Sequence, residues 1–138
     1  MSKALDSSPS TNCKVCGRPS FPRSYLCPFC RALKKRGPRK SDNKARWRAM
    51  SSQWDPDAGA YRCYYTGVKL LEEGRSPRSV TWEHRVPGDE SSVVLVAELV
   101  NKMKAYMTEK EFRRMVRELS RRFDGQPFSV SAFPSSRR

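Results

Sequence analysis

The chain has 138 residues, 37% of them apolar, and carries 28 Lys and Arg against 14 Asp and Glu, a formal charge of +14. That length makes one domain, or one with a small appendage, around a modest core, and no stretch reaches the roughly eighteen apolar residues of a membrane span. The charge goes far beyond what solubility needs and points to nucleic acid, because each phosphate neutralised by Lys or Arg releases condensed counterions; a membrane surface would call for a helix joining a basic face to a broad apolar one, which is missing.

Residues 1–12 are Ser-rich, lack the apolar core of a secretory signal, and are expected to form a disordered tail. Two CxxC pairs ten residues apart follow, Cys13-Lys14-Val15-Cys16 and Cys27-Pro28-Phe29-Cys30. Zinc takes four thiolates tetrahedrally, and a CxxC turn brings two sulfurs onto one ion. Cys13, Cys16, Cys27 and Cys30 are therefore expected to hold one structural Zn²⁺ in a reduced, intracellular protein. A redox dithiol would explain one such pair, not two at this separation. Phe21 and Tyr25 are expected to cover the metal and, with Phe29, to form nearly all the core of residues 13–36, an appended zinc knuckle or ribbon that unfolds without its ion. Cys63 stands alone and reads as a small buried hydrophobe.

From Arg31 to Arg48 there are nine basic residues, with Gly37-Pro38 interrupting any continuous helix. Residues 37–54 read as a basic linker followed by a helix that Ser41 or Asp42 caps and that carries Trp47, Met50 and Trp54. Charge runs are usually solvated faces, and a localisation signal has the same composition. Set beside a zinc module, Lys34, Lys35, Arg36, Arg39, Lys40, Lys44, Arg46 and Arg48 are expected to grip a nucleic-acid backbone, which fixes position without reading sequence.

Residues 55–125 read as a second domain. Tyr61–Tyr65 and Ser79–Val86 have strand character and are expected to pair antiparallel around the intervening loop. Ser91 or Ser92 is expected to cap a helix running to about Met107, with Val93, Val96, Ala97, Val100, Met103 and Met107 inward. Thr108-Glu109-Lys110-Glu111 is a capping box opening another helix, with Phe112, Met115, Val116, Leu119 and Phe123 inward and Arg113, Arg114 and Arg117 outward. Residues 126–138 are left as a strap and tail.

Glu83 and His84 set a carboxylate beside the only histidine of the chain. Further on, Asn101 and Lys104 lie one helical turn apart on a shared face. Hydrolysis of a phosphodiester needs a base that works near neutral pH, which imidazole supplies, and a counter-charge for the phosphate, which a hard cation on a carboxylate and an amide oxygen supplies. Strand alternation would turn Glu83 and His84 to opposite faces, so a bend near His84, at Pro87-Gly88, is expected.

Cys63-Tyr64-Tyr65-Thr66-Gly67, Thr81-Trp82-Glu83-His84-Arg85-Val86-Pro87, Ser92-Val93-Val94-Leu95-Val96 and Asn101-Lys102-Met103-Lys104 together resemble the HNH, or His-Me finger, nucleases. The resemblance covers residues 61–107. It implies an α+β fold, a small ββα-metal finger with flanking helices, in which a β-hairpin and a helix grip one divalent ion and hydrolyse DNA. By position it implies Glu83 as acidic metal ligand, where Asp is commoner, His84 as general base, Asn101 as second ligand to Mg²⁺ or a similar ion, and Lys104 as the basic residue that follows. Ser92 falls where the family usually has an Asn that steadies the histidine through loop contacts. Lys104, Arg85, Lys102 and the arginines of the last helix would meet phosphates of double-stranded DNA; small members of the family often accompany phages and mobile elements. The alternative is a non-catalytic nucleic-acid-binding or assembly protein on a degenerate finger, with RNA or a protein complex as partner.

Overall fold

The computed structural model describes residues 12–38 and 41–134; Arg39, Lys40 and the tail 1–11 lie outside the described residues. Helix α1 spans Pro28–Lys35: Pro at its first position has no amide to leave unpaired, and the Cys27 thiol at its N-cap accepts from the Cys30 amide. Helix α2, Asn43–Gln53, is capped by the Asp42 carboxylate, as the sequence suggested. Strands β1 (Trp54–Asp55) and β2 (Ala60–Tyr61) make a short hairpin, and β3 (Val80–His84) pairs antiparallel with β4 (Val93–Ala97), Trp82 opposite Leu95 and His84 opposite Val93. Helix α3, Glu98–Lys104, leaves β4 directly; α4, Glu109–Phe123, and a 3-10 turn at Val130–Ala132 close the described chain. The class is α+β, with two small antiparallel sheets.

Two expectations are corrected. The helix does not begin at Ser92: Val93–Ala97 is a strand with all five residues buried. A short apolar run covered on both sides carries no periodicity to separate strand from helix, and its valines favour the strand. The partner of β3 is consequently β4, not Tyr61–Tyr65; only Tyr61 of that stretch belongs to a strand, β2, and Tyr64 touches the sheet through its amide, which donates to the Leu95 carbonyl at 3.0 Å. The capping box of α4 is present with both of its reciprocal hydrogen bonds. The inward stripe expected along that helix holds only at its start: Phe112 is buried, Val116 and Leu119 are about two-fifths exposed, and Phe123 is 82% exposed.

The metal-site loop is not an appendage. Cys13, Leu26, Cys27, Cys30 and Leu33 belong to the same buried cluster as Met50, Tyr61, Trp82, Leu95 and Phe112. The Trp82 indole N–H donates to the Leu33 carbonyl at the end of α1, 2.9 Å away. Phe21 and Tyr25, expected over the metal, are more than half exposed, while Leu26 and Leu33 are buried in the same cluster as the cysteines. Cys63 is buried and alone, its sulfur accepting from the Ala97 amide. Among the described residues no helix is long and apolar enough to cross a membrane.

The free edge of β4 is closed by a side chain. Gln53, the last residue of α2, donates from Nε2 to the carbonyls of Leu95 (2.6 Å) and Arg62 (2.9 Å), and its Oε1 accepts from the Leu95 amide (2.9 Å). The amide thus substitutes for a neighbouring strand at a fully buried residue. Gln53→Leu leaves a buried donor unpaired, which costs about 1–3 kcal/mol. The expected result is a lower urea midpoint at unchanged slope; an unaltered midpoint would mean that water replaces the amide.

Candidate functional site

Local geometry around the cysteines follows from two turns. The Gly17 amide donates to the Cys13 carbonyl with glycine at φ +78°, closing the first CxxC knuckle, and the second pair opens α1. The four sulfurs lie within 4.8 Å of one another, Cys16 and Cys27 at 3.5 Å. Tetrahedral zinc with Zn–S bonds near 2.3 Å sets sulfurs about 3.8 Å apart, so the arrangement can hold a metal such as zinc. Burial pushes the Cys27 and Cys30 thiols up. Burial also works against the Cys13 thiolate, but amide donors from Cys16, Cys27 and Val15 outweigh it and bring that thiol down to about 6. A divalent cation resolves the conflict by offsetting the charge of thiolates in an apolar setting.

Two residues that support this centre were not singled out in the sequence. Arg18 donates from Nε to the Cys16 sulfur at 3.2 Å and forks onto both Glu72 carboxylate oxygens at 2.8 and 2.6 Å. The Tyr61 hydroxyl lies 3.0 Å from the Cys30 sulfur. Arg18 was legible as a charge two residues after a ligand; Tyr61 was not, since thirty-one positions separate it from its sulfur.

The second constellation sits where β3 ends. Glu83 turns back on the chain, Oε1 accepting from the His84 amide at 2.9 Å, while Oε2 lies 3.6 Å from Lys104 Nζ. The anticipated bend is absent. The ladder runs regularly through His84 and continues with the Arg85 amide donating to the Ser92 carbonyl, because β4 is there to hold it. Glu83 therefore addresses the backbone of His84 rather than its ring. Ser92 is buried; its hydroxyl donates to Asp89 O at 2.8 Å and accepts from the Val86 amide at 3.3 Å, fastening the loop that follows His84.

Lys104 is not where a phosphate could meet it. It is fully buried, and Nζ donates to the carbonyls of His84 (2.9 Å) and Met107 (2.5 Å), pinning the end of β3 to the turn between α3 and α4. Burial pushes its ammonium down and the neighbouring Glu83 draws it back up; burial likewise pushes Glu83 up against the pull of Lys104. Asn101 is half-buried on α3, one turn before Lys104. Four buried polar atoms, Tyr65 Oη, Glu83 Oε2, His84 Nε2 and Glu109 Oε1, lack a hydrogen-bond partner. Tyr65, Glu83 and Glu109 share one neighbourhood: burial and then the charges of Glu109 and Glu83 push the Tyr65 hydroxyl up. Buried polar atoms normally find partners, so a cluster of orphans marks a place for water or a ligand.

The basic residues divide by what they touch. Arg46 is half-buried with its guanidinium committed to the fold, donating to Lys34 O, Pro38 O and Ser41 Oγ, and this corrects its assignment to a backbone-gripping surface. Arg85 sits over the Tyr64 ring and 4.0 Å from Glu109, Arg113 sits over the Tyr65 ring, and Arg114 donates to Ser131. Lys35, Arg36, Lys44, Arg48, Lys102 and Arg117 are exposed. Comparison with family models, curated proteins and solved structures finds no match for this chain.

Removal of metal should unfold the shared core rather than a detached module. Tyr61→Phe keeps the packing but removes the hydroxyl from Cys30, and zinc affinity is expected to fall about 10–100-fold in competition with a chromophoric chelator. Protons compete for the thiolates, so metal-dependent stability is present at neutral pH and lost on acidification. Equal affinities for both proteins would remove Tyr61 from the centre.

Proposed function

We propose that the chain is a metal-dependent DNA endonuclease of HNH type, with β3, β4 and α3 as the hairpin and helix of a ββα-metal finger. The observation that carries this reading is the pair of orphaned buried atoms, His84 Nε2 and Glu83 Oε2, at the end of the hairpin strand in a chain of charge +14. An imidazole nitrogen without a hydrogen bond is suited to take a proton from water, and a carboxylate oxygen without one, 3.6 Å from the Lys104 ammonium, is suited to a hard cation. Glu83 and Asn101 would hold Mg²⁺ or a similar ion, which supplies positive charge for the scissile phosphate.

Each remaining role belongs to the protein. His84 accepts the proton of the attacking water through Nε2. Lys104 and Ser92 are positioning residues, the first holding the His84 carbonyl and the second the loop behind it. Exposed Lys102 and Arg117, with the arginines around α4, are placed to contact the DNA backbone.

A second reading has its own observation. Lys104 stands 3.6 Å from Glu83 and fully buried, so the carboxylate is already neutralised without a metal. On that reading the finger is degenerate and the chain binds nucleic acid or assembles with it. Salt-dependent DNA binding without cleavage under any divalent ion would select this alternative.

Supercoiled plasmid incubated with Mg²⁺ separates the two. Wild-type protein is expected to nick it, and His84→Ala to do so about 100-fold more slowly or less, the loss typical of a missing general base. Equal nicking by both proteins overturns the mechanism; equal plasmid binding by both shows that the variant is folded.

A further inference from the structure

A second feature, sharing no residue with the Glu83–His84 neighbourhood, lies between the metal-site loop, α1 and α2. Three depressions of about 370, 420 and 370 Å³ adjoin there, and Tyr25 lines all of them. Each is of a size that takes a small organic group. Their walls include Lys14, Arg23, Arg31, Lys34, Lys35 and Lys44, and no acidic residue. Asp42 is close in sequence, but its carboxylate is committed to the first turn of α2, accepting from the Lys44 amide at 2.9 Å.

The aromatic content separates this groove from an ordinary basic face. Tyr25 is 52% exposed and meets Trp47 edge-on at 5.7 Å between centroids, with Lys34 Nζ 6.0 Å from both rings. An exposed tyrosine beside a half-buried tryptophan gives up burial that the core could have used. Arg23 at the rim has φ +65° as the third residue of the turn that the Ser24 amide closes on the Phe21 carbonyl, with Pro22 at its second position. Arg46 props the floor through its three internal hydrogen bonds, and any side chain at Gly37 would collide with its guanidinium.

We propose that this groove binds an unpaired nucleotide of a single-stranded nucleic acid, its base against Tyr25 and Trp47 and its flanking phosphates on Lys34, Lys35, Arg23 and Arg31. A duplex keeps its bases inside the stack and offers the rings nothing, whereas single strands are held by aromatic platforms interleaved with basic side chains. An acidic peptide could meet the charge but leaves the aromatic pair unused. The inference rests on the nucleic-acid part of the proposed function and is independent of cleavage. In a nuclease it would retain a displaced or frayed strand while the other site acts on the backbone.

The test uses the full chain carrying His84→Ala, with zinc supplied and no magnesium, so that binding is read without cutting. The probe is a labelled oligothymidylate of about twelve nucleotides, within the site sizes of single-strand grooves, followed by fluorescence anisotropy. Adding Tyr25→Ala is expected to weaken binding about tenfold, the low end of what base–aromatic stacking contributes, and Tyr25→Phe to restore it. An abasic strand of equal length should bind wild-type-like protein about as weakly as thymidylate binds the Tyr25→Ala protein, because phosphates alone remain. A tighter hold on oligodeoxyuridylate or on oligouridylate, which share a base, then assigns the sugar, and either supports the site. Unchanged affinity in Tyr25→Ala, an abasic strand bound as well as thymidylate, or displacement by polyglutamate at equal charge overturns it. Plasmid nicking by the wild-type protein is scored separately: base-dependent binding without nicking sinks only the cleavage mechanism, and nicking without base dependence sinks only this groove.

Discussion

Everything else in this structure depends on seating four cysteines in the same core as the β3–β4 hairpin. The coupling can be followed atom by atom. Cys30 lies at the start of α1 against the Tyr61 hydroxyl, and α1 ends with the Leu33 carbonyl accepting from the Trp82 indole. Trp82 is the one buried residue of β3 and stands two positions before His84. The metal centre thus sets where the strand bearing Glu83 and His84 can lie. A chain of this size has little core to spare, and the cysteines supply part of it.

At the other end of β3 the organising element is a buried ammonium. Lys104 satisfies two backbone carbonyls and faces Glu83, an arrangement that would be strongly unfavourable if either charge lost its partner. It has one consequence for structure and one for chemistry. The turn between α3 and α4 is locked to the strand that carries His84. The carboxylate keeps one oxygen without a hydrogen bond, and the imidazole of the next residue keeps a nitrogen in the same condition. Where a protein leaves such atoms unsatisfied in a neighbourhood so fully tied elsewhere, their use by something outside the chain is the economical explanation.

The sequence disclosed these parts unequally, for physical reasons. CxxC spacing is a local constraint, so the ligand set was readable without the fold; so were the Asp42 cap and the Thr108–Glu111 box, which are written in four residues or fewer. Strand β4 was not, because Val93–Ala97 is buried on both faces and shows no alternation. Missing it also misplaced the partner of β3 and called for a bend that the ladder does not need. Lys104 and Arg46 were read as surface because basic residues usually are, and only tertiary context reveals the carbonyls they serve. Tyr25 is the opposite case: an aromatic beside a small metal site is expected to cover it, whereas its ring is about half exposed and Leu26 and Leu33 are the buried residues. The placement of Glu83 next to His84 is legible, but the carboxylate's engagement with the His84 amide is a property of the folded strand.

The central claim is that a divalent cation binds beside His84 through Glu83. The chain has a single histidine, so its imidazole signals in a proton NMR spectrum are unambiguous. With zinc saturating the cysteines, titration of Mn²⁺ into the protein should broaden the His84 ring resonances before other side chains, and Glu83→Gln should abolish that selectivity. Sharp His84 signals in the wild-type protein at Mn²⁺ concentrations that broaden surface carboxylates would contradict the account.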